Sequence, residues 1–310
     1  MLRLGGAYGV RGMKDNHILQ GHALAVFTVV VWATTFVSTK VLLHAFTPLE
    51  IMIARFALGF LALLIAGKGL MKAQKKQHEL LFALAGLTGV TLYFLMENIA
   101  LTYISASLVG VIVAAAPLFT ALVAALALRE RLNRWFFLGF ICAMAGVALS
   151  SLAGVSELDL NPLGALLGVG AAFVWGVYSV IIRKLGTMGY RTVPLTCRIF
   201  GYGLLFLLIP ACMEGFPAPA SAWIEPLYAA NLLFLGLCAS ATCFVTWNRA
   251  VFLLGPVKTS VYIYAQPVIT ILSSALILGE TMTPVMWLGT ALALAGLILS
   301  EHKEKEKAAE

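Results

Sequence analysis

Apolar residues fall along this chain in ten long runs, each separated from the next by glycine, proline or charge. The runs cover about 22–43, 49–67, 80–99, 105–128, 135–153, 163–183, 193–212, 227–247, 256–278 and 284–301, and each is close to the roughly 20 residues a helix needs to cross a bilayer core. Polar residues cluster in the short connections, no low-complexity tract is present, and the Lys/Glu-rich tail Glu301–Glu310 is the one stretch expected to be disordered. The pattern predicts ten membrane-spanning helices and no soluble domain.

The runs also repeat. Asn98–Ser150 aligns without a gap on Asn248–Ser300, and about a third of the aligned residues are identical, more than shared apolar composition supplies. Pro117 meets Pro267, Thr120 meets Thr270 and Glu130 meets Glu280. Leu138-Gly139 meets Leu288-Gly289, and Ala145-Gly146 meets Ala295-Gly296. Upstream, at an offset of 143, Gly21 meets Gly164, Trp32 meets Trp175, Lys40 meets Arg183 and Arg55 meets Arg198. The chain is therefore two copies of one five-helix unit. Five is odd, so the copies are expected to insert upside-down to each other, an arrangement that puts a substrate site near the midplane between the halves.

Composition agrees with this reading. Hydrophobic residues make up 61% of the chain and charged residues 11%, against about 25% charge in an ordinary soluble domain. Mean hydropathy is +0.95. The net charge of +7 does not point to nucleic acid, because the basic residues sit in short interhelical loops. With the amino terminus in the cytoplasm, the inner segments hold Lys68, Lys72, Lys75, Lys76, Arg129, Arg131, Arg134, Lys184, Arg191 and Lys258, while the outer loops hold Lys40 together with Glu157, Asp159, Glu214 and Glu225. That asymmetry predicts both termini on the cytoplasmic side. The expected layout is a cytoplasmic segment 1–21, a first repeat 22–153, an external linker 154–162, a second repeat 163–301 and a charged cytoplasmic tail 302–310. Met13 is a plausible initiator, and no cleavable signal peptide is expected.

The doubled pattern Pro117–Gly146 and Pro267–Gly296, Ala54-Arg55-Phe56 in the second run, and Trp32 and Trp175 in the first and sixth resemble the EamA family of the drug/metabolite transporter superfamily. The resemblance covers about His22–Ser300. It implies an all-α integral membrane protein of ten helices in two inverted repeats, moving small metabolites, amino acids or drug-like solutes without ATP hydrolysis. Glu97, in Met96-Glu97-Asn98, departs from the neutral residue more usual there, which fits a cationic substrate or proton coupling.

Each residue that stands out has a structural reading beside the functional one. Pro117 and Pro267 sit inside apolar runs, where proline removes a backbone donor; they are expected to kink their helices around a central cavity and act as hinges. Arg55 and Arg198 are buried within spans, where a charge costs roughly 2.5–3.5 kcal/mol on insertion scales. Such residues either bind an anionic group or brace helices, and snorkelling to the interface is open to them. Glu97 is a proton carrier or a charge partner by default, and Trp247 is its repeat counterpart. Trp32, Tyr93, Trp175, Tyr178, Tyr262 and Gln266 are expected to line a cavity suited to an amphipathic or cationic solute. Glu130 and Glu280 read as helix caps, Asn98 and Asn248 as interhelical hydrogen-bonding groups, and Gly139, Ala143, Gly289 and Ala293 as close-packing positions.

Cys142, Cys197, Cys212, Cys238 and Cys243 all fall in apolar runs without metal-ligand spacing, and the five histidines form no zinc motif. No phosphate-binding loop appears, so no metal, cofactor or ATPase activity is expected. The expected function is secondary transport of a small organic metabolite, in the direction of export, by alternating access in the plasma or inner membrane. Protons are a candidate coupling ion, and a monomer or weak homodimer is the expected state. An intramembrane enzyme acting on lipid headgroups would need a convergent polar cluster that the spans do not offer; a passive channel is the other alternative.

Overall fold

The computed structural model describes residues 5–103, 109, 112–129, 133–152, 161–266, 268, 269 and 283–300. Among them every regular element is helical. Helix α1 (Gly5–Leu42) turns at Leu43–Thr47 into α2 (Pro48–Ala66). Helix α3 (Lys76–Gly86) runs through a widened π-type turn, Leu87–Leu92, into α4 (Tyr93–Tyr103). Helices α5 (Ala116–Leu128) and α6 (Arg134–Leu152) complete the first repeat.

The second repeat opens with α7 (Pro162–Thr187) and α8 (Thr192–Glu214), then the short α9 (Ala220–Ile224). Helix α10 (Pro226–Leu233) passes through a second π-type turn, Phe234–Thr242, into α11 (Cys243–Leu254). Helix α12 (Pro256–Val261) is followed by a tight turn at Tyr262–Tyr264, and α13 (Pro284–Ser300) closes the described chain. The two π-type turns occupy equivalent places in the two repeats, so the widening is part of the repeated unit.

Among the described residues, six stretches are long and apolar enough to cross a membrane: Asn16–Thr35, Pro48–Ala66, Lys76–Ala100, Pro162–Thr187, Thr192–Glu214 and Pro226–Leu254. Three shorter apolar helices, Ala116–Leu128, Arg134–Leu149 and Pro284–Ser300, match further expected spans. The chain is a multi-pass membrane protein. The described part of α1 begins well before the first apolar run.

Local chemistry explains the helix starts. Thr47 caps α2 in a reciprocal box: its Oγ1 accepts from the Glu50 amide at 3.2 Å, and Glu50 Oε2 accepts from the Thr47 amide at 2.7 Å. Glu50 is almost wholly buried, and its other oxygen accepts from the Ala218 amide at 2.9 Å, tying α2 to the loop before α9. Asn161 caps α7 by accepting from the Leu163 and Gly164 amides.

Pro117 differs from the expected mid-helix kink. The helix is interrupted at Ala114–Ala115, and Pro117 lies in the first turn of α5. Proline is tolerated there because the first amides of a helix have no intrahelical acceptor. Pro267, Glu130 and Glu280 lie outside the described residues.

The two repeats meet on a local two-fold. A Cβ at Gly146 would stand 2.3 Å from the Ala293 amide nitrogen, and one at Gly296 would stand 2.3 Å from the Ala143 amide nitrogen. These contacts are the same contact shifted by 150 residues. The Cys142 thiol also donates to the Leu292 carbonyl at 3.4 Å, again between equivalent positions. Small residues let the α6 and α13 backbones touch, which is how helices associate where lipid removes the hydrophobic drive.

Candidate functional site

A cavity of about 370 Å³ lies between the repeats, at the small end of the range for ligand sites. Trp32, Thr35 and Thr39 border it from α1; Met52 and Arg55 from α2; Tyr93, Phe94, Glu97 and Asn98 from α4; Trp175 from α7. Ile263 and Gln266 border it from the second repeat. The cavity extends to the α1–α2 corner, where Leu43, Phe46 and Pro48 are also lining residues. Trp32 is ten residues before the end of α1, so the cavity reaches about 15 Å into the bundle, half of a bilayer core.

Beyond Trp175 the described residues pack closely. Trp32, Trp175 and Trp247 pack as a triad with ring centroids 5.2–5.9 Å apart. Behind them, the Tyr178 hydroxyl donates to Asn248 Oδ1 at 2.7 Å, and Asn248 Nδ2 donates to Thr196 Oγ1 at 3.0 Å. All three of these polar residues are fully buried. At the far end, Arg198 reaches across to Glu79 with two nitrogens and donates a third bond to the Met71 carbonyl. The Tyr202 hydroxyl donates to the same carboxylate at 2.7 Å. His78 and the Gln74 amide both meet the Tyr190 hydroxyl, and His22 meets the Tyr262 hydroxyl at 2.6 Å.

The second π-type turn holds two of the cavity's lining side chains in place. Where the backbone bonds widen, polar groups are left to neighbours. Trp32 Nε1 donates to the Ala239 carbonyl at 2.9 Å, and Arg55 Nε donates to Ser240 Oγ at 2.9 Å. Both acceptors lie within Phe234–Thr242. The Arg55 guanidinium also stands 4.8 Å from the Phe94 ring centre and 5.4 Å from that of Phe56, within cation–π range. Glu97 accepts from the Tyr93 hydroxyl at 3.3 Å.

Trp32, Tyr93, Trp175, Gln266, Glu97 and Arg55 therefore border one cavity. Tyr178 lies behind it in the buried layer, and Tyr262 contributes to the His22 contact at the opposite end. Arg198 is remote from the cavity and engaged with Glu79. Sequence reading missed Phe94, Trp247, Glu79 and Ser240. Phe94 and Phe244 are repeat equivalents that both pack on Phe56, so the 150-residue offset could have found them. Glu79 has Ala229 as its counterpart and carried no such signal.

The family model for the EamA-like transporter family matches twice, over residues 19–152 and 162–301. The chain belongs to the EamA-like transporter family. It is a transporter and not an enzyme. A probable terminal-alkyne amino-acid exporter of Streptantibioticus cattleyicolor is 31% identical over 282 residues, covering 90% of this chain and 92% of that protein. A probable amino-acid metabolite efflux pump of Salmonella typhimurium is 28% identical over 289 residues, covering 89% and 93%. A solved crystal structure superposes with a TM-score of 0.74 at 21% identity, covering 93% of this chain and 96% of that one, a likeness of fold.

Proposed function

We propose that this EamA-family member is a secondary transporter that exports a small amino-acid-like solute by alternating access. The observation that carries the reading is the cavity bordered by both repeats, reaching one end of the bundle and backed toward the other, among the described residues, by the buried Trp247–Tyr178–Asn248 layer. A channel needs a continuous path, and one-sided closure fits a carrier held in one of two states. The Streptantibioticus and Salmonella relatives, named as exporters of amino acids or their metabolites, support the substrate class and direction.

In this reading the ten-helix chain sits in the plasma or inner membrane with both termini in the cytoplasm. The closed end carries Lys72, Lys75 and Lys76 beside Gln74 and His78, the basic side expected to face inward. The cavity then faces outward. Rocking of one repeat against the other exposes it to the cytoplasm, with breaks such as Ala114–Pro117 as hinges. Glu97 is the candidate proton site, and a monomer suffices because both repeats come from one chain.

Counterflow in proteoliposomes tests this. Vesicles preloaded with an unlabelled amino-acid pool should accumulate labelled amino acid transiently and saturably. Flux that rises linearly with concentration and shows no counterflow contradicts the carrier reading.

A further inference from the structure

The repeat-related arginines have opposite surroundings. Arg198 is neutralised by Glu79, which is held in turn by Tyr202. Arg55 is 6% exposed and bordered by the cavity, yet its one hydrogen bond is Nε to Ser240. Its two terminal nitrogens make no hydrogen bond with any described residue. Phe94, Phe56 and Ser240 hold the guanidinium in place without matching its charge. Glu97 borders the same cavity with one oxygen bonded by Tyr93. No direct ion pair joins the two charges. Trp175, whose buried indole Nε1 has no partner among the described residues, stands beside them.

Arg55 and Glu97 are the two charged side chains among the cavity's lining residues; the remaining wall is largely apolar and aromatic, with Trp32, Met52, Phe94 and Trp175 prominent. Two separated, opposite, incompletely bonded charges in an apolar chamber match a ligand with the same charges in the opposite order. We infer that the cavity is a clamp for a zwitterion: the carboxylate of an α-amino acid sits on the terminal nitrogens of Arg55, its ammonium on Glu97, and its apolar side chain against Trp32, Met52 and Trp175. A guanidinium presents paired N–H groups to a carboxylate. A ligand with only one of the two charges leaves the other buried charge unpaired, which is the strongest basis a site has for rejecting an analogue. The inference rests on the transport reading and names what that site selects.

The test uses the purified full chain in nanodiscs and reads tryptophan fluorescence, because Trp32 and Trp175 border the cavity. The probes are L-phenylalanine, phenethylamine, which lacks the carboxylate, and 3-phenylpropionate, which lacks the amine; L-leucine with its two single-charge analogues forms a second set. The clamp predicts that the wild type binds the amino acid at least about tenfold more tightly than either analogue. Arg55→Gln should abolish the preference over the amine, and Glu97→Gln the preference over the acid. Arg55→Lys, which keeps charge without the paired geometry, should fall between and guards against a folding artefact.

A wild type that binds analogues as well as the amino acid overturns the clamp, as do folded variants that weaken all three probes equally. If neither amino acid binds while other solutes still show counterflow, the clamp is wrong and the carrier reading survives. If no solute shows counterflow, the carrier reading falls and takes the clamp with it.

Discussion

Replacing Gly146 by alanine should loosen the central α6–α13 contact. The added Cβ would lie 2.3 Å from the Ala293 nitrogen and 2.6 Å from the Gly289 carbonyl oxygen, where ordinary contact begins near 3.4 Å. The obstructing atoms are backbone, so no side chain can swing away and the helices must part by roughly 1 Å. Overpacking of this kind costs about 1–3 kcal/mol, offset by about 1 kcal/mol from removing a helical glycine. The net loss is about 0–2 kcal/mol, and lipid supplies no hydrophobic drive to restore the contact. Gly296→Ala should lose the same amount, because its clash with Ala143 is the repeat-equivalent one. Gly201→Ala is the control: its nearest neighbour is the Phe60 ring edge at 3.3 Å, which can tilt, so its stability should hold or rise by up to about 1 kcal/mol. Denaturation of the three variants in mixed micelles decides. Gly146→Ala matching Gly201→Ala, or a clear difference between Gly146→Ala and Gly296→Ala, refutes the two-fold contact.

Three other perturbations bear on different parts of the fold. Asn248→Leu strands the Tyr178 hydroxyl in a fully buried layer and removes one of the two hydrogen bonds of Thr196, which keeps its bond to the Thr192 carbonyl, and should cost about 1–3 kcal/mol; Tyr178→Phe combined with it should recover part of the loss in the same denaturation assay. Glu50→Ala removes the capping box and the bond to the Ala218 amide, with an expected loss of about 1–3 kcal/mol and faster proteolysis at the Gly215–Pro219 loop. Glu79→Gln weakens the tie to Arg198, whose partners are 20% and 31% exposed, by about 1 kcal/mol after solvent screening. Spin labels on either side of that tie should then show a larger open population at this end and no loss of fold.

The repeat made much of this architecture legible. The 150-residue offset placed Gly139, Ala143, Gly289 and Ala293 as packing positions, and the α6–α13 contact joins the neighbourhoods of those residues. The upstream offset of 143 equated Arg55 with Arg198. There the sequence stopped being informative, because what separates them is Glu79, on a different helix and outside the repeat pattern. The π-type turns left no composition signal, so the roles of Ala239 and Ser240 in holding Trp32 and Arg55 could not be read from spacing. Trp247 was visible only as the counterpart of Glu97; its place in the tryptophan triad depends on how α1, α7 and α11 converge. Pro117 was read as a kink because a span length was imposed on the run, whereas proline settled in the first turn of a new helix.

The most direct measurement of the central claim is thiol accessibility in the cavity. Thr35→Cys, in a cysteine-free background and oriented vesicles, is treated with a membrane-impermeant thiol reagent from one side and then, separately, from the other. Alternating access predicts labelling from both sides, with the two accessibilities shifting in opposite directions when the amino-acid gradient is reversed, and protection from both by bound solute. Labelling from both sides at once that no gradient redistributes would mean an open pore, and labelling from one side under every gradient would mean that the cavity does not alternate.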